Sequence, residues 1–203
     1  MDAPRIHKPI NQETRLFWLI MAAALIPRMV AAFSYSVNHA DELYQYLEPA
    51  HRMLFGYGTV TWEYRDGIRS WLPAWLFVAP MGLGHILSPT SNLTIYLPRL
   101  MMAFLSLVLV WSAWRLGRRQ SLFDAVMAAS IAALWAEFIS FAPHTLTEQL
   151  ATLAIIPALV LATEDKPRFK TMILVGFLLG LGAVFRPHYV PAIAVGLLMI
   201  MDY

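Results

Sequence analysis

The chain has no cysteine, and only 14% of its 203 residues are charged. The absence of cysteine excludes disulfide bonds and zinc sites built on thiolates. The low charged fraction argues against an ordinary soluble domain, in which about 25% of residues are charged. Intrinsic disorder is excluded as well, because 59% of the residues are hydrophobic. The net charge of +2 is too small to indicate a nucleic-acid partner.

The hydrophobic residues form runs that are long enough to cross a membrane, which takes about 20 apolar residues. The first run is longer than the roughly 7–15 residues of a signal-peptide core and ends without a small-residue cleavage site, so we interpret it as a spanning helix. Arg28 lies near its far end, where we expect it to snorkel or to pair. Spans are predicted at about 16–37, 97–114, 121–141, 146–163, 171–186 and from 189 onward. The sequence therefore predicts an all-α, polytopic transmembrane helical bundle, with 1–203 forming a single membrane domain.

Basic residues predict the orientation of the bundle. All three lysines lie in short basic segments, which are the N-terminus (Arg5, Lys8, Arg15), 115–119 and 166–170. The positive-inside rule places such segments in the cytoplasm. The number of crossings is then consistent only if the apolar run 71–87, interrupted by proline and glycine, is interfacial or re-entrant.

This topology makes 34–96 the first extracytoplasmic loop, with amphipathic or interfacial helices. Three polar clusters, at 34–70, 143–149 and 186–189, fall on its side of the membrane. They come from separate loops but share this side, so we predict that they meet in one site at the membrane surface.

The first loop carries two opposing stripes at helical spacing. Asp41, Gln45, Glu48 and Arg52 form the polar stripe, and we expect it to face water. The apolar stripe consists of Leu43, Tyr46, Leu47, Ala50 and Leu54. Pro49 should kink this helix or begin a new one, and 56–58 reads as a turn.

The segment from His39 to Glu42 begins where the first span leaves the membrane. A carboxylate there could take the proton of an acceptor hydroxyl. Equally, Asp41 and Glu42 could cap the following helix, with Asn38 or Asp41 at the N-cap. Together with His51, these side chains could in principle hold a divalent metal, but their spacing matches no recognised metal motif, so no metal or other cofactor is expected.

Several motifs in this loop resemble a known family. They are the run from His39 to His51, Phe55-Gly-Tyr-Gly58, Thr61-Trp-Glu63 and Arg69-Ser70, with looser matches at Thr145-Leu-Thr-Glu148 and Phe185-Arg-Pro187. Together they are similar to the Alg9-like mannosyltransferases, which include the GPI-anchor and dolichol-pathway enzymes of glycosyltransferase family 22, with the GT-C fold. Ala40 stands where that family usually has proline.

The resemblance implies inverting transfer of a sugar, in the first place mannose, from a polyprenyl- or dolichyl-phosphate donor to a glycan or lipid-linked acceptor. An acidic residue of the first outer loop serves as base in such enzymes, which points to Asp41, with Glu42 as second choice. Members of the family are far longer, so we expect the chain to be the N-terminal part of a larger enzyme surrounded by membrane lipid.

Six further residues are expected to bind substrate. Arg186 suits a donor phosphate, because a guanidinium binds phosphate in a bidentate manner, and His188 could assist it. Glu148 lies one residue into a predicted span, where carboxylates are rare and usually functional. Gln45, Glu48 and Arg69 complete the set. Some of them have a simpler interpretation: Glu148, Arg186 and His188 could be interfacial groups, and Arg69, like Arg52, could pair with the acids of its own loop.

A different class, a transporter or a substrate-binding membrane module, also fits a polytopic chain. Its polar residues should lie near the bilayer midplane, on broken helices that recur between repeats. Here the strongest polar cluster is at the outer surface, and the sequence contains no visible repeat. We expect an integral, multi-pass protein of a bacterial inner membrane, or of the ER membrane if eukaryotic, with its site on the extracytoplasmic or lumenal side.

Overall fold

The computed structural model describes residues 11–34, 39–164 and 167–201, and every regular element in these ranges is helical. The prediction of an all-α protein is thus confirmed. Arg5, Lys8, the expected cap Asn38 and Lys166 lie outside the described residues. The α-helices are α1 (Gln12–Ala32), α2 (Glu48–Phe55), α3 (Trp62–Arg65), α4 (Leu72–Leu87), α5 (Leu93–Leu105), α6 (Leu107–Arg118), α7 (Leu122–Leu134), α8 (Ala136–Phe141), α9 (Thr147–Ala162), α10 (Phe169–Phe185) and α11 (Val190–Met201).

Within the described residues, two helical stretches are long and apolar enough to cross a membrane. They are Gln12–Ala32, which is α1, and Leu93–Arg118, which joins α5 and α6 through Ser106. The other apolar helices, α4, α7, α9 and α10 among them, are shorter than 18 residues. Helices therefore stand at every predicted span, while the number of crossings and their sides stay predictions.

The prediction of one continuous helix over 121–141 is wrong. The chain leaves helical geometry at Trp135, whose φ and ψ are −65° and 129°, so that α7 ends at Leu134 and the short α8 begins at Ala136. Such a break frees carbonyl groups at the end of α7, and an apolar environment offers them no water.

Arg28 supplies the missing donors. Its guanidinium donates to the carbonyl oxygens of Ala132 at 2.7 Å, Ala133 at 2.6 Å and Ala24 at 2.9 Å, and to the Ser106 hydroxyl at 3.2 Å. The side chain is only 1% exposed. The expectation that Arg28 snorkels is therefore wrong: it is buried, and the partners it finds are backbone carbonyl groups of α1 and α7 and the hydroxyl of Ser106.

Other arginines join helix ends near the start of α1, at the end of this helix that is far from Arg28. Arg118 at the end of α6 pairs with Glu13 at 2.7 Å, and Arg115 pairs with Glu164, which follows α9. Arg119 donates to the carbonyl oxygen of Val160 at 2.6 Å. The start of α1 and the ends of α6 and α9 thus lie together. This arrangement agrees with the prediction that the basic segments lie on one side of the membrane.

The first loop rests on an apolar cluster at the other end of the bundle. Tyr46, Leu47 and Ala50 are buried there, which confirms the apolar stripe. Their partners are Phe77 and Met81 of α4, Met102 of α5, and Leu146 and Leu150 at the start of α9. This packing fixes the loop against α4 and α9, and it determines where the polar side chains of the loop lie.

Candidate active site

The polar stripe begins on an unusual turn. Residues Glu42–Leu47 form a π-helix, and α2 follows directly with Pro49 in its first turn. Proline has no N–H to lose in the first turn of α2, and the backbone stays helical through Leu47 and Glu48, so Pro49 stands where π-helical turns change to α-helical ones. π-Helical turns are rare and often mark functional sites.

Asp41 and Glu42 are neighbours in sequence with opposite surroundings. The Asp41 side chain is 36% exposed, and its Oδ2 lies 4.0 Å from Nδ1 of His39. Its backbone is already helical, and its carboxylate makes no capping hydrogen bond. Because an N-cap residue has a non-helical backbone, the hypothesis that Asp41 caps this helix is wrong.

Glu42 points inward and is fully buried. Nδ1 of His144 lies 2.7 Å from Glu42 Oε2, and Thr145 donates to Oε1 from its backbone N–H at 3.2 Å and from its hydroxyl at 3.4 Å. A buried carboxylate needs such donors to offset the loss of water. No role for His144 was predicted from the sequence, although its place in the polar cluster 143–149, shortly before α9, is a signal that could have indicated one.

A second network surrounds Arg69. Its Nη1 donates to the Tyr46 hydroxyl at 2.7 Å, and its Nε and Nη2 donate to both carboxylate oxygens of Glu63 at 3.0 and 3.3 Å. The Tyr46 hydroxyl lies 2.6 Å from the hydroxyl of Thr147. Burial raises the pKa of Tyr46, so its hydroxyl keeps its proton. The predicted pairing of Arg69 with an acid of its own loop is confirmed.

Gln45 belongs to the same network. Its amide donates to Glu63 at 2.9 Å, and its backbone carbonyl accepts from the hydroxyl of Tyr64 at 2.5 Å. Its side-chain oxygen is buried and has no hydrogen-bond partner among the described residues. The polar stripe had predicted that Gln45 faces water. This prediction is wrong, because the Gln45 side chain faces the interior of the loop.

Glu48 and Arg52 hold the turn after α2. Glu48 accepts the backbone N–H of Thr59 at 3.0 Å, and Arg52 donates to the carbonyl oxygen of Gly58 at 3.0 Å. Gly56 and Gly58 have φ angles of 79° and 145°, which confirms the predicted turn and explains why glycine occupies both positions. Arg52 thus binds a backbone group and not a loop acid.

The third segment reaches the site through an ion pair. Arg186, directly after α10, lies 2.5 Å from the carboxylate of Glu148 in the first turn of α9. The Thr147 hydroxyl donates to the other oxygen of Glu148 at 3.3 Å. His188 is exposed on the next 3₁₀ turn and has no recorded hydrogen bond within the described ranges.

The structure therefore brings the three polar clusters together, as the sequence predicted. Glu42 meets His144, Tyr46 meets Thr147, and Glu148 meets Arg186. The segment 142–147, buried where α8 is followed by α9, contributes His144 and Thr147 to the first two of these contacts and directly precedes Glu148.

Comparison with known proteins gives this arrangement a family. The profile of the Alg9-like mannosyltransferase family matches residues 17–203. The chain belongs to the Alg9-like mannosyltransferase family. No solved structure matches it.

Individual members of the Alg9-like mannosyltransferase family show the same likeness. Alpha-1,2-mannosyltransferase alg9 of Schizosaccharomyces pombe is 26% identical over 190 residues, covering 90% of this chain and 32% of that protein. GPI mannosyltransferase 3 of Saccharomyces cerevisiae is 39% identical over 70 residues, 34% of this chain and 11% of that protein. Human GPI alpha-1,2-mannosyltransferase 3 is 41% identical over 69 residues, 34% of this chain and 12% of that protein. The chain thus spans less than a third of the length of these relatives.

These relatives are mannosyltransferases, and none of them supports the transporter alternative. In the described part of the molecule, no group of three His, Asp or Glu side chains is arranged so that it could hold a metal ion. His51, one of the possible ligands, has its Nδ1 3.2 Å from the carbonyl oxygen of Tyr57. That the chemistry needs no metal stays a prediction.

Proposed function

We propose that the full-length protein is an integral membrane mannosyltransferase. It moves mannose from a polyprenyl- or dolichyl-phosphate donor to a hydroxyl of a glycan or lipid-linked acceptor, with inversion. Membership of the Alg9-like family supports the reaction class. The observation that carries the assignment of the base is the contrast between the half-exposed Asp41 and the fully buried Glu42.

Asp41 is the proposed general base. Its carboxylate takes the proton of the acceptor hydroxyl, and the oxygen attacks the anomeric carbon from the face opposite the phosphate. A carbon–oxygen bond forms there while the bond to the donor phosphate breaks, and the leaving phosphate keeps the bonding electron pair. Glu42 is poorly suited to this step, because His144 and Thr145 occupy its oxygens.

Arg186 is the proposed partner of the donor phosphate, with His188 beside it. A guanidinium has five N–H donors, so Arg186 can bind a phosphate and keep a bond to Glu148. Glu148 is then placed to accept a hydrogen bond from the acceptor or the sugar. Gln45, Glu48 and Arg69 contribute by holding the loop that carries Asp41, and their direct contact with substrate is part of the same proposal.

The site is proposed to face the extracytoplasmic side of a bacterial inner membrane, or the lumen if the source is eukaryotic. The supporting observation is that the site and the basic helix ends lie at opposite ends of α1. Arg118 meets Glu13 near the start of α1, and the loop that carries Glu42 follows its end.

A donor comparison tests the proposed function. The purified full-length protein is given a lipid-linked acceptor mixture and either polyprenyl-phosphate mannose or GDP-mannose, with and without EDTA. We expect mannosylated product with the lipid donor only, unchanged by EDTA. Product formed from GDP-mannose alone, or only in the presence of a divalent metal, would contradict the proposal. Donor uptake into vesicles without any product would favour a transporter.

A further inference from the structure

The bond between Glu42 and His144 links two parts of the site that are 102 residues apart in sequence. Both side chains are buried, His144 at 4% exposure and Glu42 at 0%. Residues on either side of this bond have proposed roles, since Asp41 precedes Glu42 and Glu148 lies four residues after His144. The bond therefore connects the segment that carries Asp41, the proposed base, to the segment that carries Glu148, the partner of Arg186.

The hydrogen bonds of Glu42 depend on its exact position in the π-helix. A fully buried carboxylate needs hydrogen-bond donors in place of water, and the three donors of Glu42 come from His144 and Thr145. A shift of the π-helix by one residue would separate Glu42 from all three donors. The same shift would move Asp41 across the surface of the site.

We propose that His144 is a positioning residue for the transfer reaction. Its Nδ1–H holds Glu42, and Glu42 in turn holds the Asp41 carboxylate at the distance from the acceptor hydroxyl that proton transfer requires. This inference rests on the proposed function. His144 itself touches neither substrate nor the reacting atoms, so its removal affects the rate through the placement of Asp41.

Asparagine and glutamine distinguish positioning from simple packing. Both are polar amides of suitable size, and both carry N–H donors. The amide nitrogen of asparagine takes the place of the Nδ1 atom of histidine, whereas that of glutamine reaches one atom further, toward the place of Nε2. His144→Asn therefore keeps the donor to Glu42, and His144→Gln displaces it.

Steady-state kinetics of the full-length protein test the proposal. We expect His144→Asn to keep kcat within about threefold and His144→Gln to lower it about 10- to 100-fold, because a displacement of about 1 Å costs rates of this order. The KM for the donor should change little in either variant. In a Glu42→Gln background the difference between the two variants should vanish. Equal kcat values in His144→Asn and His144→Gln, or a persisting difference in the Glu42→Gln background, would overturn the proposal.

His85 provides the matched control. It lies half-buried on α4, with its ring centroid 4.8 Å from that of Phe55, and it has no role in the proposed reaction. His85→Asn and His85→Gln should have the same kcat. A difference between these two as large as that expected at position 144 would also count against positioning.

A labelling experiment separates this proposal from the proposed function. Leu47 is buried at the end of the π-helix, and the chain has no cysteine of its own, so Leu47→Cys reports how often that helix opens. We expect slow labelling in the wild-type and His144→Asn backgrounds. In the His144→Gln background labelling should be faster by about 10- to 100-fold, the order expected when a buried acceptor loses its donor. Equal labelling in all three overturns positioning even if the protein transfers mannose. Faster labelling in a protein without transferase activity overturns only the proposed function.

Discussion

Nη2 of Arg186 lies 2.5 Å from a carboxylate oxygen of Glu148, joining the end of α10 to the start of α9. The two side chains are 25% and 40% exposed, so a phosphate can approach the guanidinium without unfolding the site. Arg28 differs in both respects, since it is buried and its donors bind carbonyl groups of its own bundle. Of these two arginines, Arg186 is the one suited to bind a ligand.

Arg186→Lys should weaken the use of the lipid-phosphate donor. Lysine keeps the charge but loses the planar pair of donors that binds phosphate in a bidentate manner. We expect a rise in the apparent donor KM or a fall in kcat/KM of about tenfold or more, with little change in the acceptor KM. Wild-type donor kinetics at normal expression would leave Arg186 only an interfacial role.

Asp41→Asn should give a folded protein that transfers mannose about 10²- to 10⁴-fold more slowly, which is the usual contribution of a general base. Asparagine keeps the shape of the side chain and removes the proton acceptor. The measurement is product formation per folded molecule of the full-length protein.

Glu42→Gln is the control for the Asp41 variant. If Glu42→Gln abolished transfer while Asp41→Asn remained active, the base would be Glu42 and the assignment would be wrong by one residue. A moderate loss in Glu42→Gln, accompanied by looser folding, is the expected result for a buried anchor.

Arg28→Met should destabilise the protein by about 2–6 kcal/mol. It leaves the carbonyl groups of Ala132 and Ala133 buried without donors, and each such group costs about 1–3 kcal/mol. The free energy of unfolding in detergent measures the effect. Arg15→Met, an exposed position on the same helix, should change stability by less than about 0.5 kcal/mol. Equal stability of the two variants would show that the break at Trp135 needs no donor.

The stability of the first loop should fall at high pH because of Tyr64. Burial raises the pKa of Tyr64 to about 12, whereas the hydroxyl ionises near pH 10 in an unfolded chain. The raised pKa favours the neutral folded form below pH 10, and this contribution is lost as the pH rises from about 10 to 12. Melting temperatures across this range should fall less steeply in Tyr64→Phe. Tyr57→Phe, at a position that is 66% exposed, should leave the slope unchanged.

Single-cysteine labelling tests the predicted sides of the membrane. We expect the loops over 34–96 and the polar segment 143–145 to be extracytoplasmic, and 115–120 and 164–170 to be cytoplasmic. An impermeant maleimide added to intact cells should label Tyr57→Cys at once and Arg118→Cys only after permeabilisation. Both positions are exposed on the protein surface. Labelling of position 118 from outside would reverse the proposed orientation.

Much of this fold follows from local properties of the sequence. Apolar runs predicted where the helices lie, proline predicted the start of α2, and Gly56 and Gly58 predicted the turn after it. Charge placement alone predicted that Glu42, Thr147 and Arg186 belong to segments that meet. These features depend on residue type and spacing within a few turns, and such information is present in the sequence itself.

Only the tertiary structure decided which neighbour each polar group has. The sequence treated Asp41 and Glu42 as alternatives for one role, but a π-helical turn and donors from His144, 102 residues away, bury one carboxylate and leave the other accessible. The break at Trp135 likewise depends on Arg28, which lies over 100 residues earlier and binds the freed carbonyl groups. Periodicity cannot predict such pairs, because the free energy of a buried polar group depends on a partner that long-range packing brings to it.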